Sequence, residues 1–326
     1  MGNIYLGCDL GGTKILSCVY DEEFRVLGRA RKKTKGHEGQ ETGVKRIGDT
    51  IEEALEDAKV DADDIRSIGI GCPGPLDLDQ GIIHEAPNLG WTNVPIKKEL
   101  ESRFDAPTTV ANDVDLGVYG EFRFGAAKGA RCAVGIFPGT GIGGGCVYRG
   151  EIFRGRVSSC MEVGHIPIAS GGVRDGAGNA GTLEALASRL RISAEAAQAA
   201  YRGQAPVLRK KTGTDISDIR SGALAASVEG GDEAVVAIVR EAAEYLGLGI
   251  VTLVHLLAPD VVVMGGGLVE AMPDLIVSTA EETSRNRVLP SFRDSYKVVA
   301  AELGDDSAVK GAAAWGRYGL EESAAT

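Results

Sequence analysis

No Gly-Lys dipeptide occurs anywhere in the 326 residues, which excludes a Walker A phosphate loop. The six cysteines (Cys8, Cys18, Cys72, Cys132, Cys146 and Cys160) contain no Cys-x-x-Cys pair, and most lie in apolar, strand-like segments. They read as buried free thiols, which points to a reducing compartment, the cytoplasm. No apolar run reaches the roughly 18 residues of a membrane helix. The longest, Ile250 to Ala258, stops at Pro259. Positive charge is in deficit: 35 Lys and Arg against 46 Asp and Glu leave a net charge of −11. With no basic, aromatic-interleaved patch either, a nucleic-acid partner is not expected. Met1-Gly2-Asn3 leads straight into a strand, without the charged and apolar regions of a signal peptide. Leu6 stands where a myristoylation signal wants Ser or Thr.

Against these absences stands a repetition. Gly7-Cys8-Asp9-Leu10-Gly11-Gly12-Thr13-Lys14 runs on to Cys18-Val19-Tyr20. Gly135-Ile136-Phe137-Pro138-Gly139-Thr140-Gly141-Ile142-Gly143-Gly144 runs on to Cys146-Val147-Tyr148. Each is a strand, a turn of glycines with a threonine, and a second strand. Glycine lets backbone N–H groups approach an anion with no Cβ in the way. Two such hairpins predict two similar lobes facing each other across a polyphosphate, and hence a nucleotide-dependent phosphotransferase.

Apolar periodicity predicts a strand at Ile65–Gly71 and helices over 42–59, 114–124, 183–190, 194–201 and 232–257. A strand at Val261–Met264 meets Gly265-Gly266-Gly267, with a helix from Leu268 onward. A last strand covers 298–300 and a last helix 307–318. Strands alternating with helices mean an α/β fold. No low-complexity or proline-rich linker divides the chain, and the expected seam lies near Asn112.

Several clusters have both a chemical and a plain structural reading. Gly69-Ile70-Gly71-Cys72-Pro73-Gly74 matches the dinucleotide fingerprint, but Pro73 and Pro75 block the helix that should receive the pyrophosphate. Asp9, two residues before Gly11, can hold Mg²⁺ beside cradled phosphates or simply border a tight hairpin. Asn112-Asp113 sits where a strand ends and a helix begins, the place for a ligand or for an N-cap. Glu162 and His165 place a carboxylate and an imidazole three apart, functional or merely solvated. Glu184 falls in a first helical turn, where the helix dipole favours an acid regardless of function.

Taken in order, these motifs resemble the ROK family (repressors, open reading frames and sugar kinases) over nearly the whole chain. Gly71-Cys72-Pro73-Gly74-Pro75-Leu76-Asp77 and Asn88-Leu89-Gly90-Trp91 are similar to its sugar-side loops. The resemblance implies the two-lobed actin-like, hexokinase-like ATPase fold, with a ribonuclease H-like motif in each lobe. It implies a small lobe of residues 1–111 plus about 303–326, and a large lobe of 112–302. Asp113 would be the catalytic base, with Asn112, Asp113, Glu162, His165 and Glu184 binding the sugar. Gly11, Gly12, Thr13, Lys14, Thr140 and Gly141 would hold the ATP phosphates, and Gly265, Gly266 and Gly267 would flank the adenosine. Asp9 is the candidate for the Mg²⁺ shell.

The chain departs from the family at one place. Three cysteines and a histidine bind structural zinc in most members, yet the cysteine positions here hold Asp175, Ala177 and Thr182. Alanine and threonine supply no thiolate, so no structural zinc is expected. The implied reaction is transfer of the ATP γ-phosphoryl group to a hexose hydroxyl, glucose 6-OH first among them, by a cytoplasmic homodimer. Rival acceptors are N-acetylmannosamine, N-acetylglucosamine, fructose and allose, and the rival donor is polyphosphate. A non-catalytic sugar-binding regulator is a further rival. A repressor is disfavoured by the acidic chain and by a first phosphate motif that begins at Gly7.

Overall fold

The protein is described by a computed structural model covering residues 3–156 and 160–325. Met1 and Gly2, on which the reading of the N-terminus partly rested, lie outside the described residues. In chain order the first elements are β1 (Ile4–Leu10), β2 (Lys14–Tyr20), β3 (Val26–Lys33), α1 (Gln40–Ala58), β4 (Ile65–Cys72), β5 (Leu76–Asp77), β6 (Ile82–Ala86) and β7 (Trp91–Val94). Then come α2 (Ile96–Phe104), β8 (Thr108–Asn112), α3 (Asp113–Phe124), β9 (Cys132–Pro138), β10 (Ile142–Tyr148) and β11 (Glu151–Ile152). A helical stretch follows: α4 (Leu183–Ala187), α5 (Arg189–Tyr201), α6 (Pro206–Thr212), α7 (Ser221–Glu229) and α8 (Glu233–Leu257). The last elements are β12 (Val261–Met264), α9 (Gly267–Ala271), α10 (Pro273–Arg285), β13 (Lys297–Ala300) and α11 (Ser307–Ala325).

Two compact units result. One comprises Met1–Gly129, Gly145–Cys160 and Asp305–Thr326; the other comprises Ala130–Gly144 and Met161–Gly304. The first carries a sheet of order β3-β2-β1-β4-β8, with β2 and β3 antiparallel and β4 and β8 parallel to β1. The second five-stranded sheet has the order β11-β10-β9-β12-β13, and the chain passes from one unit to the other within β10. Here too β12 and β13 run parallel to the first strand, β9. The repeat legible in the two glycine hairpins is thus a repeat of whole sheets, each with the ribonuclease H-like strand order.

In the first unit β1 and β4 are buried on both faces, which is why they read as continuous apolar runs. Leu6, Leu10, Ile15, Ile47, Ile51, Ile68 and Ile70 are fully buried there. Each such side chain contributes on the order of 1.5–3 kcal/mol. Helix α11 packs on β1, β4 and α3 through small residues, with Ala312, Ala313 and Ala314 buried. The approach is so close that a Cβ on Gly69 would lie 1.8 Å from the Ala312 carbonyl oxygen. One on Gly311 would lie 1.9 Å from that of Leu116.

Helices α2, α6 and α7 and strand β11 are additional to the elements expected from the sequence, and three further differences have local causes. Ser188 is extended (φ −67°, ψ 156°) and its hydroxyl caps Arg191 N–H, so the helix expected over 183–190 is split into α4 and α5. Pro273 starts a helix of its own, dividing the helical run after Leu268 into α9 and α10. The small sheet β5-β6-β7 escaped detection because its strands are only two to five residues long.

Candidate active site

The first unit brings Asp9 and Asp113 to the same end of its sheet. Strands β1, β4 and β8 are parallel, and Asp9, Gly71 and Ala111 are aligned across them. Their carboxyl ends therefore carry Asp9, Cys72 and Asn112, with Asp113 next in the chain. Ligands of open α/β sheets bind at such strand ends. Asn112 is the N-cap of α3: its Oδ1 accepts the N–H groups of Val114 (2.9 Å) and Asp115 (3.3 Å). Asp113, the first helical residue, accepts Val114 N–H at its own Oδ1 (3.0 Å) and lies in the positive field of the helix N-terminus. The cap is thus Asn112 and not Asp113, and it orients the turn that presents Asp113.

Burial, and next the charge of Asp113, push the Asp9 carboxyl up to about 7 from its ordinary 3.8, with Lys14 opposing. A carboxylate whose charge is penalised in this way is suited to a cation, which would relieve both effects. Beside it, Gly11 N–H donates to Lys14 C=O (2.9 Å) and closes the turn. Buried Thr34 staples the same turn, its hydroxyl donating to Gly11 C=O (2.7 Å) and its N–H to Thr13 C=O (3.0 Å). Gly12 and Thr13 are exposed, as a cradle for an anion requires. The Lys14 ammonium is engaged with Asp305 at 2.7 Å, and Asp305 also takes Arg31 at 2.9 Å. Trp91, from a loop assigned to the sugar side, is fully buried and serves the core.

The second unit holds the other hairpin and the remaining candidates. Gly139 N–H donates to Gly141 C=O (2.8 Å), and Ile142 N–H donates to Glu184 Oε2 (3.0 Å). Glu184 Oε1 accepts Gly176 N–H (3.3 Å). Arg189, which the sequence did not single out, grips the turn twice: its N–H donates to Gly139 C=O (2.9 Å) and its Nη2 to Thr140 Oγ1 (2.7 Å). Gly265 directly follows β12, Gly266 caps α9 and Gly267 is its first residue. Glu162 and His165 are exposed around a short 3₁₀ turn, Val163–His165, and His165 Nδ1 meets Asp175 Oδ2 at 2.9 Å. Burial disfavours the His165 cation, but Asp175, Glu184 and Glu162 outweigh it, so its pKa is raised.

Thr34, Asp305, Asp175 and Arg189 escaped the sequence reading as site residues, since each acts through a contact remote in the chain or around a loop. Among the described residues no cluster of three or more His, Cys, Asp or Glu side chains is arranged to hold a metal ion. The donor set at 165, 175, 177 and 182 does not fit a closed zinc site, because only His165 and Asp175 carry ligating side chains where four are needed.

The model of the ROK family matches residues 5–318. The chain belongs to the ROK family. Among ROK proteins it is 31% identical over 310 residues to a glucokinase of Thermotoga maritima, covering 94% of this chain and 95% of that protein. A solved ROK glucokinase from Streptomyces griseus, in complex with glucose and AMPPNP, superposes with a TM-score of 0.84 at 31% identity. It covers 97% of this chain and 100% of the other. A ROK hexokinase from Thermus thermophilus gives 0.81 at 32% identity, covering 98% and 99%. This ROK chain therefore has the α/β fold of the hexokinase-like sugar kinases. No helix among its described residues is long and apolar enough to cross a membrane.

Proposed function

We propose that this chain is an ATP-dependent hexose kinase that phosphorylates glucose at its 6-hydroxyl. The observation that carries the reading is the pairing of Asp9 with Asp113 at the ends of parallel strands, in a chain so similar to glucokinases. Asp113 accepts the hydroxyl proton as the sugar oxygen attacks. General-base assistance of this kind contributes about 10²–10⁴-fold. Asn112, Glu162, His165 and Glu184 recognise sugar hydroxyls, and each buried partner left unpaired by a wrong sugar penalises it. Gly11, Gly12, Thr13 and Lys14 on one hairpin, and Thr140 and Gly141 on the other, hold the nucleotide phosphates. Gly265, Gly266 and Gly267 flank the adenosine.

Asp9 is the residue to hold Mg²⁺, whose bound charge would neutralise the phosphate oxygens. The buried cysteines Cys8, Cys18, Cys72, Cys132 and Cys146 support a reducing compartment, the cytoplasm, and the family resemblance supports a homodimer.

Polyphosphate as donor is a second reading, favoured by one observation. The Arg189 guanidinium lies beside Thr140, its Nη2 donating to Thr140 Oγ1 at 2.7 Å, and burial, with the field of the Arg220 cation, lowers its pKa. That is more positive charge than backbone amides alone offer an anionic chain. The deciding experiment follows product formation with glucose, N-acetylmannosamine, N-acetylglucosamine, fructose and allose, each against ATP and against polyphosphate. Glucose 6-phosphate formed from ATP at the highest kcat/KM supports the proposal. Failure to phosphorylate any hexose from either donor overturns it.

A further inference from the structure

The four positions at which the family resemblance places zinc ligands are gathered here around a carboxylate. Asp175 Oδ1 accepts the backbone N–H groups of Ala177 (3.0 Å) and Asn179 (2.9 Å). Its Oδ2 takes the Thr182 hydroxyl (2.9 Å) and His165 Nδ1 (2.9 Å). The Asp175 side chain has 0% exposure. An ionised carboxylate offers about four lone-pair sites, so this one is saturated. Burial works against its charge, but the donors more than compensate and hold it well below the usual carboxylate range.

The arrangement inverts the logic of a metal centre. Zinc is a cation that gathers four electron-pair donors. Asp175 is an anion that gathers four hydrogen-bond donors from the same stretch of chain. Substituted positions 175, 177 and 182 all take part, as does His165. The loop also reaches Glu184 through the neighbouring Gly176 N–H.

There is a consequence for the imidazole. A carboxylate without a proton can only accept, so His165 Nδ1 must carry the hydrogen. In the neutral ring the opposite nitrogen, Nε2, is then left as an acceptor. Histidine ligands of metals have their free nitrogen set by the partner of the other in the same manner.

We propose that Asp175 is a metal-free organising centre that orders loop 166–182 and sets His165 in the Nδ1–H tautomer, presenting Nε2 as acceptor to a sugar hydroxyl. Asp175 is a positioning residue, because it acts through His165 and Glu184. The kinetic part of this inference rests on the hexose-kinase reading; the tautomer does not.

Two measurements test it on the full chain. The first is ¹⁵N NMR of the histidines at pH 8, with His165 assigned by comparison with His165→Gln. A protonated Nδ1 and bare Nε2 at His165, unchanged by a zinc-selective chelator, is the expected result. An Nε2–H tautomer, or a signal that shifts when zinc is removed, overturns the proposal. The second is kinetics of Asp175→Asn, which keeps shape, and Asp175→Ala. The hexose KM should rise at least tenfold in both while the ATP KM stays within twofold.

A hexose KM within twofold of wild type in Asp175→Ala overturns the positioning role. The combined Asp175→Cys, Ala177→Cys and Thr182→Cys variant should bind one zinc and regain the low hexose KM only when loaded. Zinc-loaded protein that keeps the high KM of Asp175→Ala counts against the proposal. If the wild type phosphorylates no hexose, the kinase reading falls, and the tautomer still decides the role of Asp175.

Discussion

Glu184 Oε2 lies 3.0 Å from Ile142 N, so one carboxylate ties helix α4 to the residue that follows the second glycine turn. A Cβ on Gly141 would come within 2.2 Å of that oxygen. The glycine therefore makes room for the Glu184 carboxylate, whose contact with a sugar is part of the proposed function.

Gly141→Ala follows from this geometry. The obstructing atom is the far end of a flexible side chain, so the fold should yield cheaply and the melting temperature should change by only a few degrees. Glu184 must swing off Ile142, and the hexose KM should rise about tenfold, the scale of losing one good hydrogen bond. Steady-state kinetics with thermal melts checks both halves. A normal hexose KM would mean that Glu184 does not meet the sugar.

Asp113→Asn keeps the shape and the N-terminal helical position but removes the proposed base. Turnover should fall by at least about 10²-fold, the lower end of general-base catalysis, while nucleotide binding by calorimetry persists. Near-normal turnover would sink the assignment of Asp113.

The raised Asp9 pKa makes a stability prediction in metal-free buffer. The folded protein holds this proton to about pH 7, whereas an ordinary aspartic acid releases it near 3.8. At Asp9 the folded state therefore binds more protons in that window, and this contribution to stability declines as pH rises from about 4 to about 7. After discounting for solvent screening, the loss attributable to Asp9 is on the order of 1–2 kcal/mol by pH 8. Asp9→Asn should flatten this part of the profile, and added Mg²⁺ should restore stability to the wild type only. Identical urea-denaturation profiles of the two proteins across this range would contradict the account.

Gly311→Ala tests the packing of α11. The added Cβ meets a backbone carbonyl of α3 at 1.9 Å, and backbone cannot swing aside. A destabilisation of about 3 kcal/mol, the upper end of overpacking costs, is expected from urea denaturation. A midpoint within error of wild type would show that α11 is free to lift.

Much of the architecture was legible because its signals are local. The hairpins at Gly11 and Gly139, the long helices α1 and α8, and the strand-to-helix step at Asn112-Asp113 are written in periodicity and turn residues a few positions apart. The boundary at Ser188 was missed, since a serine that caps and one that sits inside a helix look alike until the backbone angles are known. Sheet β5-β6-β7 was missed because strands of two to five residues have too short a run to show a period.

Residue order alone sufficed for the α/β class, the duplicated glycine hairpin, the ROK resemblance and the loss of zinc-binding thiols. All of these depend on residue types at short, readable spacings. Tertiary structure decided what replaces the thiols, which charges surround Asp9, why Gly311 must lack a side chain, and which carboxylate a side chain at Gly141 would displace. Those answers turn on distances between segments far apart in the chain or folded back on themselves. Electrostatics and steric exclusion act through space, where order along the chain sets no scale.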